Sequence, residues 1–331
     1  MKKTVGLLIL AATLALSAVL GGTAGMITDA KSTVTALKVT GAHLTDKKGN
    51  IVQLKGVSTH GISWYPQYIN DKCFKQLKGW GANVVRLAMY TAEYNGYCTG
   101  DEANKKALKA RIEEGVKLAQ KNNMYVIIDW HVMNADPNPL IHQKEAEEFF
   151  AWASKKYKDT PNVIYEICNE PSSGTSWEDI TKYADDIIPL IRKNAPKSVI
   201  IVGTPNWSQE VDKAAAKPLK YKNVMYALHF YAATHKDDLR NVAKNALDKK
   251  LPIFVSEYSI CDASGNGGLD TDSATKWMKL LNENKISYCQ WSLCNKNESS
   301  AIIKDSVSKT SGFTDADLSE TGKWLKKQLK K

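Results

Sequence analysis

The chain has 331 residues, of which 43% are hydrophobic and 24% charged, a composition that argues against a disordered protein and provides one large core or two smaller ones. The formal net charge of +10 is carried by lysines that stand singly along predicted helix faces. No basic run is interleaved with aromatic residues in the way typical of a nucleic-acid-binding groove. Six widely spaced cysteines lack the C-x-x-C pairs of a zinc site.

The cysteines fall into two groups. Cys168 and Cys289 lie within apolar runs, where a free cysteine behaves as a small hydrophobic residue. Cys73 and Cys98 are the one pair that we consider for a disulfide bond.

The first residues have the layout of an export signal. Lys2 and Lys3 precede the apolar run VGLLILAATLALSAVL, and small residues follow up to Ala24, as in a secretory signal peptide. An uncleaved membrane anchor is the alternative, but the run is short for a bilayer span of about 20 residues and no basic stop-transfer cluster follows it. We therefore predict a signal peptide and short leader over 1–30, cleavage near Ala24, and a secreted, extracellular protein that leaves the membrane after cleavage.

The mature chain begins with a predicted β-hairpin. Residues 37–54 alternate apolar and polar positions on both sides of the turn cluster DKKGN at 46–50. This pattern is typical of two antiparallel strands joined by a tight turn.

Eight short apolar runs follow, each ending in polar residues and most succeeded by an amphipathic helical pattern. The runs span 55–60, 83–89, 124–130, 163–170, 198–203, 224–230, 253–257 and 286–291. Apolar residues recur at helical spacing between them, as in 103–123 and 177–193. Alternating strands and helices predict a parallel sheet.

Eight such units predict an α/β fold of the (β/α)8 TIM barrel type rather than an open doubly wound sheet, because no G-x-G-x-x-G motif follows the first strand. The hairpin would then plug the barrel floor. Residues 321–329 are predicted to form a final helix that packs on the barrel. The chain has no linker rich in Pro, Ser or Thr, so we assign 31–331 to one domain.

Barrel enzymes place their chemistry at the C-terminal ends of the strands. Four of the six histidines fall at or just beyond predicted strand ends, which is more than random placement suggests. The candidate residues near these ends are His60, Arg86, Tyr90, Asp129, His131, Asn169, Glu170, His229, Tyr231, Glu257 and Trp291.

Metal-dependent hydrolysis is one chemistry to weigh against this set. It needs several His and Asp ligands that converge on one ion, and Asp129 and His131 offer two. No H-x-H or H-E-x-x-H motif is present, however, and the carboxylates at 170 and 257 are accompanied by aromatic residues rather than by further ligands. The pattern favours a site with no metal and no cofactor.

Glycoside hydrolysis by paired carboxylates is the other chemistry. It needs two acids that face one sugar bond, together with aromatic residues for the sugar faces. Glu170 and Glu257 end the fourth and seventh predicted strands, on opposite sides of an eight-stranded ring. A separation of about 5 Å predicts retaining hydrolysis, and about 6.5 to 9.5 Å predicts inversion. At the shorter distance two negative charges repel by roughly 3 kcal/mol at an effective dielectric near 20, so one carboxyl keeps its proton.

We hypothesise that Glu257 stays ionised beside Arg86 and attacks the anomeric carbon. Glu170 would donate its proton to the leaving oxygen and then act as base for water. Strict alternation along the strand would point Glu166 the same way as Glu170, and Asn169 the opposite way. Glu166 lies deeper, and we predict that it satisfies polar groups of the barrel interior rather than contacting substrate.

Seven sequence motifs follow one another along the chain: HGISWY at 60–65, NVVRLAMY at 83–90, VIIDWH at 126–131, VIYEICNEP at 163–171, HFY at 229–231, VSEY at 255–258 and WSLCNK at 291–296. In this order they resemble glycoside hydrolase family 5, in particular its bacterial endo-β-1,4-glucanases (cellulases), and the resemblance covers residues 37–331.

The resemblance implies a catalytic domain with Glu170 as acid/base and Glu257 as nucleophile in a retaining double displacement. It also implies that Arg86 and Tyr231 bind the nucleophile and that Asn169 binds the sugar 2-hydroxyl. His131 and His229 would complete the polar floor of the site. The residues that would line a glucan cleft are His60, Trp64, Tyr65, Tyr90, Trp207, Trp291, Lys296 and Glu298.

One stretch departs from the family pattern. Tyr258-Ser259 follows Glu257 where family members often have Trp-Gly. The nucleophile is unaffected, but the assignment of Ala263 and Ser264 as substrate-binding residues is weaker for this reason.

The sequence thus predicts a secreted, monomeric endo-β-1,4-glucanase whose partner is a β-glucan polysaccharide, with no nucleic acid involved. Two alternatives stay open. The same residues can act on mannan, xylan or mixed-linkage glucan, because the shape of the subsites decides that choice. A carbohydrate-binding barrel without catalysis is the other alternative, and the presence of both Glu170 and Glu257 argues against it.

Overall fold

Eight parallel strands surrounded by helices make up most of the computed structural model, which describes residues 34–330. The strands pair in chain order, and the last pairs with the first to close the barrel. They are β3 (Lys55–Thr59), β4 (Val84–Tyr90), β5 (Tyr125–His131), β6 (Val163–Glu166), β7 (Val199–Val202), β8 (Val224–Tyr231), β9 (Ile253–Ser259) and β10 (Ser287–Leu293). The predicted (β/α)8 TIM barrel is confirmed.

Helices lie between the barrel strands, and three of them match the helices predicted over 103–123, 177–193 and 321–329. The helices are α1 (Asp71–Trp80), α2 (Glu102–Lys121), α3 (Gln143–Lys156), α4 (Trp177–Asn194), α5 (Pro205–Ser208), α6 (Val211–Ala216), α7 (Asp237–Asp248), α8 (Thr271–Glu283) and α9 (Glu320–Leu329). In α4 the stripe Ile180, Tyr183, Ile187 and Ile191 is buried against the barrel, because residues three and four apart share one helix face. A capping box at Ser176 begins this helix.

The predicted N-terminal hairpin is present, with a different turn. β1 (Lys38–Thr40) and β2 (His43–Thr45) pair across residues 41–42, where Gly41 has a φ of +59°, a conformation that glycine adopts without steric cost. The predicted turn at 46–50 also forms, but a single bridge between Thr45 and Ile51 follows it. The stronger pairing is thus one turn earlier than the sequence indicated.

The hairpin closes the bottom of the barrel. Leu37 and Leu44 are buried in one cluster with residues near the N-terminal ends of the strands, such as Val84, Ile127 and Ile164. Apolar side chains inside a barrel this small need a cover, since they are otherwise exposed to water at its open end. The prediction that the hairpin plugs the floor is confirmed.

The fourth barrel strand is shorter than predicted. β6 ends at Glu166, and beyond it the amides of Asn169 and Glu170 donate to the carbonyls of Trp130 and Val132 next to β5. The chain therefore bends at the end of β6 and stops alternating between faces. Asn169 reaches the barrel interior together with Glu166, so the prediction that they point to opposite faces is wrong.

All six cysteines, which lie within the described residues, are free thiols. The disulfide considered for Cys73 and Cys98 is therefore not formed. Cys168 and Cys289 are fully buried, as predicted for small apolar side chains. Between residues 34 and 330 no helix is long and apolar enough to cross a membrane, and the predicted signal peptide and leader over 1–30 lie outside the described residues.

Candidate active site

A cleft of about 550 Å³ opens at the C-terminal ends of the barrel strands. Most of the residues proposed from the sequence line it. They are His60, Trp64, Tyr90, His131, Glu170, Trp207, His229, Tyr231, Glu257, Ala263, Ser264, Trp291, Lys296 and Glu298.

A fully buried arginine lies beneath this cleft. Arg86, on β4, donates from Nε to Glu166 Oε2 at 2.6 Å and from Nη1 to Glu257 Oε2 at 3.0 Å. Its Nη2 lies 3.0 Å from Asp129 Oδ2 and donates to Asn169 Oδ1 at 2.5 Å. Burial acts to lower the pKa of Arg86, but the nearby carboxylates of Asp129, Glu166 and Glu257 raise it well above its ordinary value. The guanidinium is thus a fixed positive charge that orients four side chains.

Glu257 lies on β9 with both carboxylate oxygens engaged. Oε2 accepts from Arg86, and Oε1 accepts from the hydroxyl of Tyr231 at 2.8 Å. Burial and the charge of Glu170 raise the pKa of Glu257, while Arg86 lowers it. A cation and a hydroxyl donor both favour the ionised form, so Glu257 is the carboxyl of the site that is best stabilised as an anion.

Glu170 has different partners. Its Oε1 lies 2.9 Å from Nδ1 of His229, and Nε2 of the same ring lies 2.9 Å from Oγ of Ser256. Ser256 has one hydroxyl proton, which it donates to Glu166 Oε1 at 2.5 Å. Ser256 must therefore accept from His229 Nε2–H, which leaves Nδ1 as an acceptor. A hydrogen bond between this nitrogen and Glu170 Oε1 then needs a proton on the carboxyl, so the pattern indicates that Glu170 is protonated.

The electrostatics agree with this assignment. Burial raises the pKa of Glu170 to about 8, with Asp129 and Glu166 adding to the effect against Arg86. Burial lowers the pKa of His229 to about 4, so the ring is neutral at pH 7. Oxygens of Glu170 and Glu257 lie within 4.8 Å of each other, and two negative charges at that distance in a buried site repel strongly. Glu170 is the carboxyl that stays protonated.

His131 belongs to a second polar chain beside the first. Its Nδ1 lies 2.6 Å from Asp129 Oδ2, and the amide nitrogen of Asn169 lies 3.4 Å from its Nε2. Asn169 also donates to the carbonyl of Val132 at 3.1 Å. Asp129 and His131 thus pair with each other, instead of converging on a common ligand position. Among the described residues, the group whose spacing suits a metal ion is Glu170, His229 and Glu257.

Aromatic rings form one wall of the cleft. The rings of His131 and Trp291 are stacked with centroids 5.3 Å apart, and Tyr90 lies between His131 and Trp64, with centroids 4.2 and 4.5 Å away. His60 contacts the same group. A wall of ring faces beside a polar floor is the surface that a sugar ring binds through its apolar face.

Trp207 is separate from this wall and 40% exposed, and its Nε1 donates to Asn134 Oδ1 at 3.4 Å. It belongs to α5, a single turn in which Asn206, Trp207 and Ser208 all have φ near +55°. Such a conformation is costly for residues with a Cβ, at about 1–3 kcal/mol each. The hydrogen bonds from Trp207 N to Pro171 O and from Ser208 Oγ to Asn169 O hold the turn. The segment that carries Glu170 thereby also fixes Trp207.

Four proposed residues do not line the cleft. Arg86, Asp129 and Asn169 lie beneath it in the network described above. The ring of Tyr65 packs against the core beside His60, with ring centroids 5.0 Å apart.

Five lining residues escaped the sequence analysis: Met133, Asn134, Gln209, His235 and Gly265. Of these, His235 carried a signal, since it follows a strand end. Lys296 and Glu298 form a tight ion pair at 2.6 Å, and Glu298 also approaches His60 Nε2 at 3.7 Å. The loop after β10 thus delivers a charged pair to the cleft.

Comparison with known proteins gives consistent results. Residues 45–297 match the family model described as Cellulase (glycosyl hydrolase family 5). The chain is 48% identical over 296 residues to Endoglucanase A of Butyrivibrio fibrisolvens, covering 88% of this chain and 68% of the relative. It is 46% identical to an endoglucanase of Clostridium saccharobutylicum, covering 88% and 64%. The chain thus spans about two thirds of the length of these relatives.

Solved structures give the same match. The catalytic domain of Thermobifida fusca endoglucanase Cel5A, in complex with cellotetraose, superposes with a TM-score of 0.84 at 34% identity, covering 89% of this chain and 97% of that one. A cellulase named Cel5C_n gives a TM-score of 0.84 at 40% identity, with 90% and 93% covered.

Proposed function

Because the chain belongs to the cellulases of glycosyl hydrolase family 5, we propose that it is an endo-β-1,4-glucanase that cleaves internal bonds of cellulose and related β-glucans by a retaining double displacement. Residues 31–331 would form one catalytic domain, and residues 1–30 would direct export and be removed. The enzyme would act outside the cell as a monomer, without a cofactor.

One observation carries this proposal: two carboxyl groups within 4.8 Å have opposite hydrogen-bond environments. Glu257 accepts from Arg86 and Tyr231, whereas Glu170 faces the acceptor nitrogen of His229. This spacing is close to the ~5–5.5 Å of retaining glycosidases, and an inverting enzyme needs more room for water. An anion beside an acid is the pair that double displacement requires.

In the first step an oxygen of Glu257 bonds to the anomeric carbon of the sugar. The bond from that carbon to the leaving glycosidic oxygen breaks, and the proton of Glu170 moves to this oxygen. The ester that forms no longer carries the charge of Glu257. The pKa of Glu170 therefore falls, because the neighbouring negative charge is gone.

In the second step Glu170, now ionised, takes a proton from water as the water oxygen attacks the anomeric carbon. The ester bond breaks and Glu257 regains its charge beside Arg86. Asn169 would hold the sugar 2-hydroxyl. The ring wall of His60, Trp64, Tyr90 and Trp291, together with Trp207, would bind the flanking glucose units.

Substrate class is tested by following reducing ends and viscosity on hydroxyethylcellulose, mannan, xylan and barley glucan in parallel, with EDTA in matched samples. We expect a rapid loss of viscosity on the cellulose derivative that EDTA leaves unchanged. Preference for mannan or xylan would keep the mechanism and change the substrate. Activity that EDTA removes would contradict the two-glutamate mechanism and point to an ion held by Glu170, His229 and Glu257.

The two roles are separated by Glu170→Ala and Glu257→Ala, with Glu114→Ala as an exposed control. Activity on polysaccharide should fall by roughly 10² or more in the first two variants and stay unchanged in the third. With an activated aryl cellobioside and azide, Glu257→Ala should form the α-glycosyl azide, because azide attacks from the side that the nucleophile left empty. Glu170→Ala should form the β-azide. The same anomer from both variants would contradict the assignment.

A further inference from the structure

The charges of this barrel are separated along its axis. We call the segments that precede the barrel strands the floor segments: 34–54, 81–83, 122–124, 157–162, 195–198, 217–223, 249–252 and 284–286. They contain eleven lysines, two aspartates, and no arginine or glutamate.

The segments that follow the strands have the opposite balance. We call these the mouth segments: 60–70, 91–101, 132–142, 167–176, 203–210, 232–236, 260–270 and 294–319. They contain four lysines and eleven acidic residues, of which Glu170 is protonated. One end of the barrel is therefore cationic, and the end that holds the cleft is anionic.

Four lysines of the floor segments surround one hollow. Lys38, Lys222, Lys249 and Lys250 line a depression of about 520 Å³ that has no acidic residue in its lining. All four are exposed and, within residues 34–330, none forms an ion pair, whereas nearby Lys220 lies 3.4 Å from Asp185. Uncompensated like charges repel one another, so this hollow attracts an anion.

The chemistry of the floor narrows the choice of anion. The floor segments contain no arginine, the residue that binds phosphate groups in a bidentate fashion. Arg192 reaches them from α4, but it donates to the carbonyls of Ser198 and Lys222, which disfavours a phosphate polymer as the partner. Among the described residues, Ile51 is the one large apolar side chain of the floor segments that is more than a third exposed, so the floor has no extended apolar face for a membrane. Separate lysine charges suit separate carboxylates. The rings of Pro218, Tyr221 and Pro252 in the hollow offer apolar faces to a sugar.

We propose that the floor is a docking surface for an acidic polysaccharide built of uronic acid units, distinct from the glucan cleft at the opposite end. The acidic mouth repels the same polymer, so docking leaves the cleft open to a neutral glucan. The choice of a carbohydrate over another polyanion rests partly on the proposed function. The separation of charge between floor and mouth is independent of the proposed function.

Affinity electrophoresis in gels containing polygalacturonate tests this proposal with the protein comprising residues 31–331. One variant replaces the four lysines of the hollow (K38E, K222E, K249E, K250E). The matched control makes the same charge change on exposed helix faces (K75E, K106E, K182E, K276E). At about 10 mM salt we expect retardation of the wild type and the control, a loss of about tenfold or more in affinity for the hollow variant, and release of all three at about 0.3 M salt.

Equal loss in both variants would show that net charge alone matters and would overturn the proposal. Tighter retention by duplex DNA or by anionic phospholipid vesicles at equal charge concentration would overturn the choice of partner. Hydrolysis of hydroxyethylcellulose, a neutral polymer, should be the same for all three proteins with and without polygalacturonate. Inhibition by polygalacturonate would place it in the cleft and contradict a separate surface. Absence of hydrolysis with intact retention would contradict the proposed function alone.

Discussion

At the scale of single residues, the protonation of Glu170 is set by a chain of groups that begins deep in the barrel. Three consecutive hydrogen bonds link Glu166 to Ser256, Ser256 to His229, and His229 to Glu170. The donor in each bond fixes the donor in the next. Glu166 is fully buried and, as predicted, serves the barrel interior. Its negative charge also raises the pKa of Glu170.

Glu166→Gln tests this chain. The glutamine amide can donate to Ser256, which then donates to His229 Nε2, so that Nδ1–H faces Glu170 and favours its carboxylate. Loss of the Glu166 charge acts in the same direction. Activity above neutral pH requires protonated Glu170, whose pKa burial raises to about 8. We expect the alkaline limb of the kcat profile to move to lower pH by about one unit.

Exposed Glu114→Gln is the control for that measurement and should leave both limbs in place. The assignment of the His229 tautomer would be contradicted if the alkaline limb of the kcat profile of Glu166→Gln were unchanged or moved to higher pH.

Tyr231→Phe examines the other carboxyl. The Tyr231 hydroxyl donates to Glu257 Oε1, which favours the anion, so its removal should raise the pKa of Glu257 and move the acidic limb to higher pH. Because the base form of Glu257 is the active one, activity is lost as pH falls through this higher pKa. We expect roughly a tenfold lower kcat at neutral pH. Tyr94→Phe, at an 81% exposed ring, should change neither. A shift of the alkaline limb alone would contradict the pairing.

Residue types and chain order were enough to propose Glu170, Glu257 and Arg86 as one group. The hydrogen-bond chain could not be foreseen, because it depends on register. The pairing of β8 with β9 shifts between Ala227 and His229, and this irregularity sets His229 opposite Glu257 and near Ser256. No pattern in the sequence reports such a shift.

At the scale of elements, the bend after β6 positions the site. Gly203, the residue after β7, allows the bend because a Cβ there would lie 2.5 Å from the carbonyl oxygen of Cys168 and 2.8 Å from Cδ of Pro171. The segment that carries Asn169 and Glu170 therefore rests directly on the glycine backbone.

Gly203→Ala should displace this segment. Backbone atoms have little room to yield, so we expect kcat/KM to fall by roughly tenfold or more, since small misplacements of catalytic groups are costly. The melting temperature should fall as well. Gly79→Ala is the matched control: a Cβ there meets nothing within 4 Å, and alanine favours the helix α1 by about 0.5–1 kcal/mol. Normal activity in Gly203→Ala would contradict the role given to the close approach.

Helices and strands were predicted well because their apolar periodicity follows from burial on one face. The end of β6 and the turn of the hairpin were predicted wrongly, and the left-handed turn at Trp207 was not predicted. The end of β6, the turn of the hairpin and the left-handed turn at Trp207 are each decided by tertiary hydrogen bonds, and side-chain periodicity contains no information about those bonds.

At the scale of the whole molecule, the hairpin completes the core. Leu44 is 1% exposed and packs among the residues of the barrel floor, far from the cleft. Leu44→Ala should lower the free energy of unfolding in urea by about 2–5 kcal/mol, through lost burial and a cavity, while kcat stays unchanged. Ile51→Ala, in the same region but 51% exposed, should cost about 0.5 kcal/mol or less. Equal costs would contradict the view that the hairpin is part of the core.

The barrel itself followed from eight repeats of strand and helix. The separation of charge along the barrel axis could not be predicted, because a net charge of +10 does not say where in the fold the charged residues lie. The prediction that the lysines lie along helix faces was incomplete, since eleven fall in the floor segments. They became visible as a group once the topology assigned each segment to one end of the barrel.

This arrangement makes the protein an electric dipole. An excess of nine positive charges at one end and, with Glu170 protonated, six negative charges at the other, separated by roughly 20 Å of strand, gives a moment on the order of 10³ D, compared with about 3.5 D for one peptide unit. Such a molecule turns in the field of any charged solid before it touches it. On a negatively charged bead it would settle with the cleft facing the solution, and on a positively charged bead with the cleft against the support.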